Sequence, residues 1–253
     1  MLRAMVQEIA LSTRTSMKYF IPVVLFIFFC FGTAASFCES PTRFERTYSP
    51  RGTAHLTISN VNGTIRIVGW DKKTISARAF AASSVSIEDQ VIGDDISIST
   101  KRNLRMAHAD FEVSVPPETS ISVKNYMGNI ELRGINGHVS VASIDSDVHL
   151  VAVSSPSVEV RVTSGDIFFD GDLREGGSYS LQTIKGDLDV TLPSGTPFNL
   201  NARALSENIN LGAFISNLTG SSRGPKGVSG THLRGGPRLV LTTYAGRILL
   251  HKK

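Results

Sequence analysis

The sequence predicts an all-β fold, a β-solenoid of the right-handed parallel β-helix type, and three observations predict it. The first is a repeat. ISVKNYMGNIEL (121–132), VSVASIDSDVHL (139–150), VEVRVTSGDIFF (158–169), YSLQTIKGDLDV (179–190) and LNARALSENINL (200–211) share one template. It reads apolar, any, apolar, any, small or polar, two of any kind, Gly or a substitute, usually Asp or Asn, then apolar, any, apolar. The second is the period. The Gly position falls at Gly128, Ser146, Gly165, Gly186 and Glu207, so rungs of 18 to 21 residues follow one another, as in a stacked array. The third is alternation. On both sides of the Gly the apolar residues occupy every second position, the period of a half-buried strand rather than a helix.

Each copy therefore reads as strand, turn, strand. The Gly-Asp, Gly-Asn and Asn-Gly dipeptides suit the turn, because Gly takes positive φ at no steric cost and Asp or Asn bonds back to nearby backbone. A β-sandwich of antiparallel hairpins would use the same signals and is the alternative. Stacking is favoured on energetic grounds. Four buried side chains cannot offset the backbone entropy of ordering a whole copy, so one copy cannot fold alone. Stacked copies bury both faces of each apolar row and pair their open edges. The expected inward column is Ile130, Val148, Ile167, Leu188, Ile209, with Leu132, Leu150, Phe169, Val190, Leu211 beside it.

Residues 1–36 read as a signal peptide or an N-terminal membrane anchor. Tyr19 to Phe37 is almost wholly apolar, and it follows Arg3, Arg14 and Lys18 and ends in small residues that allow cleavage after Ala35 or Ser36. The run is also close to the length that spans a bilayer. Lipidation at Cys38 is a third possibility, with Phe37 standing where a small residue is wanted. All three imply export. Cys30 and Cys38 are the only cysteines, so the body has no internal disulfide. Residues 37–51 are polar, hold two prolines and read as a tether.

The domain proper is expected over 52–253, enough chain for one substantial core. LTISNVNGTIRI (56–67) is an outlying copy of the template, followed by a turn at Trp70-Asp71-Lys72-Lys73 where the sole Trp packs. Val85 to Thr100 adds two alternating runs around a Gly-Asp pair, and Lys101 to Ala109 is a basic loop. LVLTTYAGRILL (239–250) is a second outlying copy. Between it and the five central copies, residues 217–237 are rich in Gly and Ser and read as a mobile, basic surface loop. No acidic residue follows Glu207, whereas Arg223, Lys226, Arg234, Arg238, Arg247, Lys252 and Lys253 are basic. The formal net charge is only +4, so the excess is local.

Several segments carry a family resemblance. Strands joined through Val115-Pro116-Pro117-Glu118-Thr119 and Leu192-Pro193-Ser194-Gly195-Thr196, rungs such as TSGDIFF and TIKGDLDV, and the opening ISNVNGTIRIVGWDKKTISARA are similar to the bacterial putative-adhesin family. That family is a domain of unknown function in envelope proteins, and the likeness covers roughly residues 50–250. It implies a β-helical or β-roll fold, export and no established catalytic residues. The chain departs from the pattern at Ser146, at Glu207 and in the segment 217–237.

Chemistry-bearing patterns are sparse. Stacked copies would align Asn129, Asp147, Asp166, Asp187 and Asn208 at the turn. Such a column could hold a cation or a glycan, but Asp and Asn also follow Gly simply because turns favour them. The histidines, at 55, 108, 138, 149, 232 and 251, lack ligand spacing, and neither a nucleophile elbow nor a phosphate loop is present. No catalytic, cofactor-binding or metal-ligating residue is assigned and no cofactor is expected. Aromatics are scarce in the basic C-terminal region, and export argues against nucleic acid as its partner. Anionic lipid headgroups or acidic envelope glycans suit it better. The expectation is an exported, non-enzymatic, adhesin-like binding or scaffolding module of the bacterial cell envelope. The alternative is a carbohydrate-active enzyme on the same scaffold.

Overall fold

The computed structural model describes residues 42–82, 85–101, 108–206, 208–224 and 226–253. The apolar run from Tyr19 to Phe37, Glu207 and most of the basic loop after Lys101 lie outside the described residues. Among those described, no helix is long and apolar enough to cross a membrane.

The chain is a β-solenoid of two extended sheets, with ten and eleven strands among the described residues. Each copy of the repeat gives one strand to each sheet, and its Gly turn is the corner between them. Ser120–Met127 lies in the eleven-stranded sheet and Ile130–Arg133 in the ten-stranded one. The two strands of a copy do not pair with each other, which rules out the hairpin sandwich. Each pairs in parallel with its counterpart in the next copy. Val141 is matched to Val123 and Val160, and Val148 to Ile130 and Ile167. The alternating apolar residues point between the sheets, where Ile58, Ile65, Ile130, Val148, Val160, Leu188 and Leu241 are completely buried.

The order of the rungs departs from chain order at both ends. Ile248 pairs with Leu188 on one side and Ile209 on the other, so the C-terminal copy 239–250 is inserted between copies 179–190 and 200–211. Leu188 and Ile209 are thus not neighbours in the inward column, contrary to expectation. The composition of the two copies explains the exchange. Leu239, Leu241, Ile248 and Leu250 are all buried and suit a rung covered on both sides. Copy 200–211 offers Ala202 and Ala204, a second strand of two residues, and a partly exposed Ile209, which suits the outermost place. At the other end, Asp95–Thr100 and Ala109–Val115 form a rung outside the first copy, His55–Asn62 and Ile65–Gly69. The chain then returns to lay copy 121–132 on that copy's other side.

Antiparallel strands close both ends of the eleven-stranded sheet and one end of the ten-stranded sheet, which protects edges that could otherwise recruit another chain. The remaining end is the two-residue strand Ile209–Asn210. Thr42–Tyr48 pairs with Ile75–Ala81, so part of the stretch expected as a tether is a strand, held by the buried Phe44 and Tyr48. Ile87–Ile92 closes the eleven-stranded sheet, and Tyr48 donates to Asp89 Oδ2 at 2.9 Å, tying the terminal strands of the two sheets together. At the far end the expected loop 217–237 is mostly a hairpin. Leu218–Gly224 pairs with Gly227–His232, which pairs with Phe198–Ala204. Its anchor is His232, completely buried, stacked on Phe198 at 4.8 Å and edge-on to Phe214 at 5.0 Å, with Nδ1 at 2.8 Å from Thr196 O.

Candidate binding face

Three side-chain columns meet at the glycine corner. The fifth template position, small or polar in the sequence, turns inward as Asn60, Asn125, Ser143, Thr183 and Thr243, all buried. All but Ser143 serve the turn of the neighbouring rung. Asn60 Nδ2 donates to Ala109 O at 2.9 Å, Thr183 Oγ1 to Gly165 O at 3.0 Å and Thr243 Oγ1 to Gly186 O at 2.9 Å. Those carbonyls lie where a side chain would otherwise stand. A Cβ on Gly186 would come within 2.0 Å of Gly165 O, and one on Gly246 within 1.9 Å of Gly186 O. Glycine is therefore required by close stacking as much as by turn conformation. Ser146 replaces it in one rung, where its hydroxyl bonds that of Ser143.

The Asp column expected at the turn exists, and its work is visible. Asp147 Oδ1 accepts the backbone N–H of Asp166 at 2.9 Å, Asp166 Oδ1 that of Asp187 at 2.7 Å, and Asp187 Oδ1 that of Arg247 at 2.7 Å. The Arg247 guanidinium also bonds Asp187 Oδ2 at 2.6 Å, and this bond holds the Asp187 carboxyl below its ordinary value despite partial desolvation. One oxygen of each of these carboxylates is engaged by backbone. Among the described residues, no group of three or more His, Cys, Asp or Glu is placed to hold a metal ion.

The sixth position points outward. In spatial order it carries Val61, Tyr126, Ile144, Thr163, Ile184, Tyr244 and Leu205, apolar in all but one rung. Eleven large apolar residues are exposed among those described, and five of them, Tyr126, Ile144, Ile184, Leu205 and Tyr244, stand in this single column. Tyr126 and Tyr244 are 52% and 54% exposed. Isolated surface apolar residues are ordinary, whereas an aligned set marks an interaction site. The sequence held the signal in the first of the two positions scored as any kind, where six of seven copies are apolar.

Beside the stripe runs a groove of about 660 Å³ that crosses five rungs. Ile144, Ile184 and Tyr244 form one wall, Lys124, Arg161, Gln182 and Thr242 the other, and Ser143 and Thr183 the floor. A second hollow of about 560 Å³ is lined by Arg203, Leu205 and Lys226. Arg203 is matched to Thr242 in the sheet, so the second hollow begins on the rung next to the end of the first. Among the described residues, no carboxylate lines either. Arg161 is paired with Glu159 outside the lining.

The expected C-terminal basic cluster is dispersed. Arg247 pairs with Asp187 and Lys253 with Asp170, while Lys252 lies over the Phe214 ring at 4.9 Å. Of the seven, Lys226 reaches the groove system. Trp70 is a turn anchor, with Nε1 donating to Thr74 O at 2.7 Å and Lys72 over its ring. His149 faces outward and lies against Phe168.

Comparison with known proteins gives relatives but no close one. The curated proteins contain no match. The chain is similar to a putative cell adhesion protein from Clostridium sporogenes (13% identity, 84% of this chain and 100% of that one, TM-score 0.49). It is similar as well to a putative adhesin from Bacteroides fragilis (10%, 85% and 99%, TM-score 0.38) and a putative lipid binding protein from Parabacteroides distasonis (10%, 85% and 97%, TM-score 0.27). The family model Toastrack DUF4097, a domain of unknown function, matches residues 50–234. That span bears out the resemblance carried by the proline-linked strands and the glycine rungs: the chain belongs to the Toastrack DUF4097 family.

Proposed function

We propose that this protein is an exported, non-enzymatic binding or scaffolding module of the bacterial cell envelope, adhesin-like, which takes its ligand on the glycine corner of the eleven-stranded sheet. The observation that carries the reading is the outward apolar column with its groove. Rigid parallel pairing holds these side chains in line, so binding needs little ordering of the protein. The alternative of a carbohydrate-active enzyme has less support, because Asp147, Asp166 and Asp187 are spread along the axis and bonded to backbone, whereas glycoside hydrolysis needs two carboxylates facing one bond. The test is co-sedimentation with bacterial envelope fragments, comparing the native protein with Ile184→Ser/Tyr244→Ser. Both side chains are exposed, so folding should be retained. Binding should weaken about tenfold, corresponding to about 1.4 kcal/mol lost from a contact centre. Equal sedimentation of the two proteins would remove the corner from the binding site.

A further inference from the structure

Resting on that reading, the geometry points to one ligand class: a linear acidic polysaccharide lying along the solenoid axis, across the strands, in the groove beside the sixth-position stripe. Three features select it. The first is the linear form of the site. It repeats once per rung, at about 4.8 Å, over five rungs, and is thus about 19 Å long. A compact ligand would use a fraction of it, whereas an extended sugar chain can place a ring near each rung. The second is the difference between the walls. Ile184 and Tyr244 offer apolar surface to the flat face of a sugar ring, and the facing Lys124, Arg161, Gln182 and Thr242 offer donors to its hydroxyl and acidic groups.

The third is charge. Lys124 and Arg161 stand two rungs apart, and Arg203 three rungs beyond Arg161, giving intervals of about 10 and about 14 Å. The next cation is Lys226, on the capping hairpin beside Arg203. Among the described residues no carboxylate lines the groove, and Glu159, outside the lining, pairs with Arg161. A polyanion with an acidic group on successive sugars can meet every cation in this row. A bilayer surface fits less well, because the stripe is one side chain wide except at Tyr126, where the exposed Met127 stands beside it. Lys124, Arg161 and Gln182 flank it on one side and Asp145, Ser164 and Lys185 on the other.

The experiment uses the purified full-length protein in affinity electrophoresis through gels containing polygalacturonate or the neutral polymer dextran, with flotation on phosphatidylglycerol vesicles in parallel. Polygalacturonate should retard the protein at low salt and much less at physiological salt, and dextran should not. Lys124→Gln/Arg161→Gln/Arg203→Gln should weaken the retardation at least about tenfold, with thermal unfolding unchanged. Galacturonate monomer should compete poorly, because it spans one rung. Retardation that is absent, equal in dextran or unaffected by the triple substitution would overturn the proposal, as would monomer competing as well as polymer. Vesicle binding without polygalacturonate binding would also overturn it, in favour of a lipid ligand. Envelope co-sedimentation separates the two levels. If it still depends on Ile184 and Tyr244 while polygalacturonate fails, the ligand class is wrong and the binding face stands.

Discussion

Asp187 donates its backbone N–H to the side chain of Asp166, one rung away, at 2.7 Å. The same bond recurs from Asp166 to Asp147 and from Arg247 to Asp187, so the acidic column is a ladder that ties successive turns together. Asp166→Ala removes an acceptor and leaves a turn N–H without its partner, and should cost about 1 kcal/mol. Asp166→Asn keeps an acceptor and should cost less. Chemical denaturation of the two variants checks the order.

Asp187 makes the ladder sensitive to pH. The Arg247 guanidinium holds its carboxyl below the ordinary value, so the folded state binds this proton more weakly than the unfolded chain. The stability it contributes is present above about pH 4, the unfolded carboxyl value, and is lost as pH falls through the lower folded value. The pair is largely solvated, so the effect should be small. Melting curves between neutral pH and about pH 3 should show Arg247→Gln losing less stability on acidification than the native protein, and parallel losses would contradict this.

Gly186→Ala should be among the most damaging small substitutions. It combines a φ of +147° with a Cβ 2.0 Å from Gly165 O, so stacked rungs must separate, at a cost of about 3 kcal/mol or more. Gly195→Ala meets open space and should be nearly neutral. The comparison of melting temperatures isolates close stacking from a general dislike of substituting glycine.

Ile167 is 1% exposed between Val148 and Leu188. Ile167→Asp buries an unpaired carboxylate and should prevent folding or cost more than about 4 kcal/mol. His149→Asp, one strand position along from Val148 and facing outward, should change stability by about 0.5 kcal/mol or less. Similar unfolding midpoints for the two would refute the inward and outward assignment.

Export has its own test. Expressed with its native N-terminus in a bacterium, the protein should leave the cytoplasm and lose about 35 residues, with intact mass marking cleavage after Ala35 or Ser36. A full-length mass in the membrane fraction would identify an anchor, and a diacyl adduct would place lipid on Cys38.

Local chemistry alone determined the rungs: the two-residue period of Val158, Val160, Ile167 and Phe169 says which side chains face inward, and Gly165-Asp166 says where the chain turns. Both are properties of a few adjacent residues, so the strands, turns and inward faces of each rung could be read directly, while the family came from resemblance of whole segments. The order of rungs could not. Nothing near Ile248 shows that it will lie between Leu188 and Ile209, because that choice compares the burial of two copies nearly forty residues apart. The hairpin within 217–237 was hidden for a similar reason: Gly and Ser imply mobility until His232 is seen packed between Phe198 and Phe214. The acidic column was legible as turn residues, but its cross-rung bonds were not. The binding face was the least legible part. Tyr126, Ile184 and Tyr244 are outward residues near the ends of separate strands, and only parallel stacking at about 4.8 Å turns them into one continuous surface.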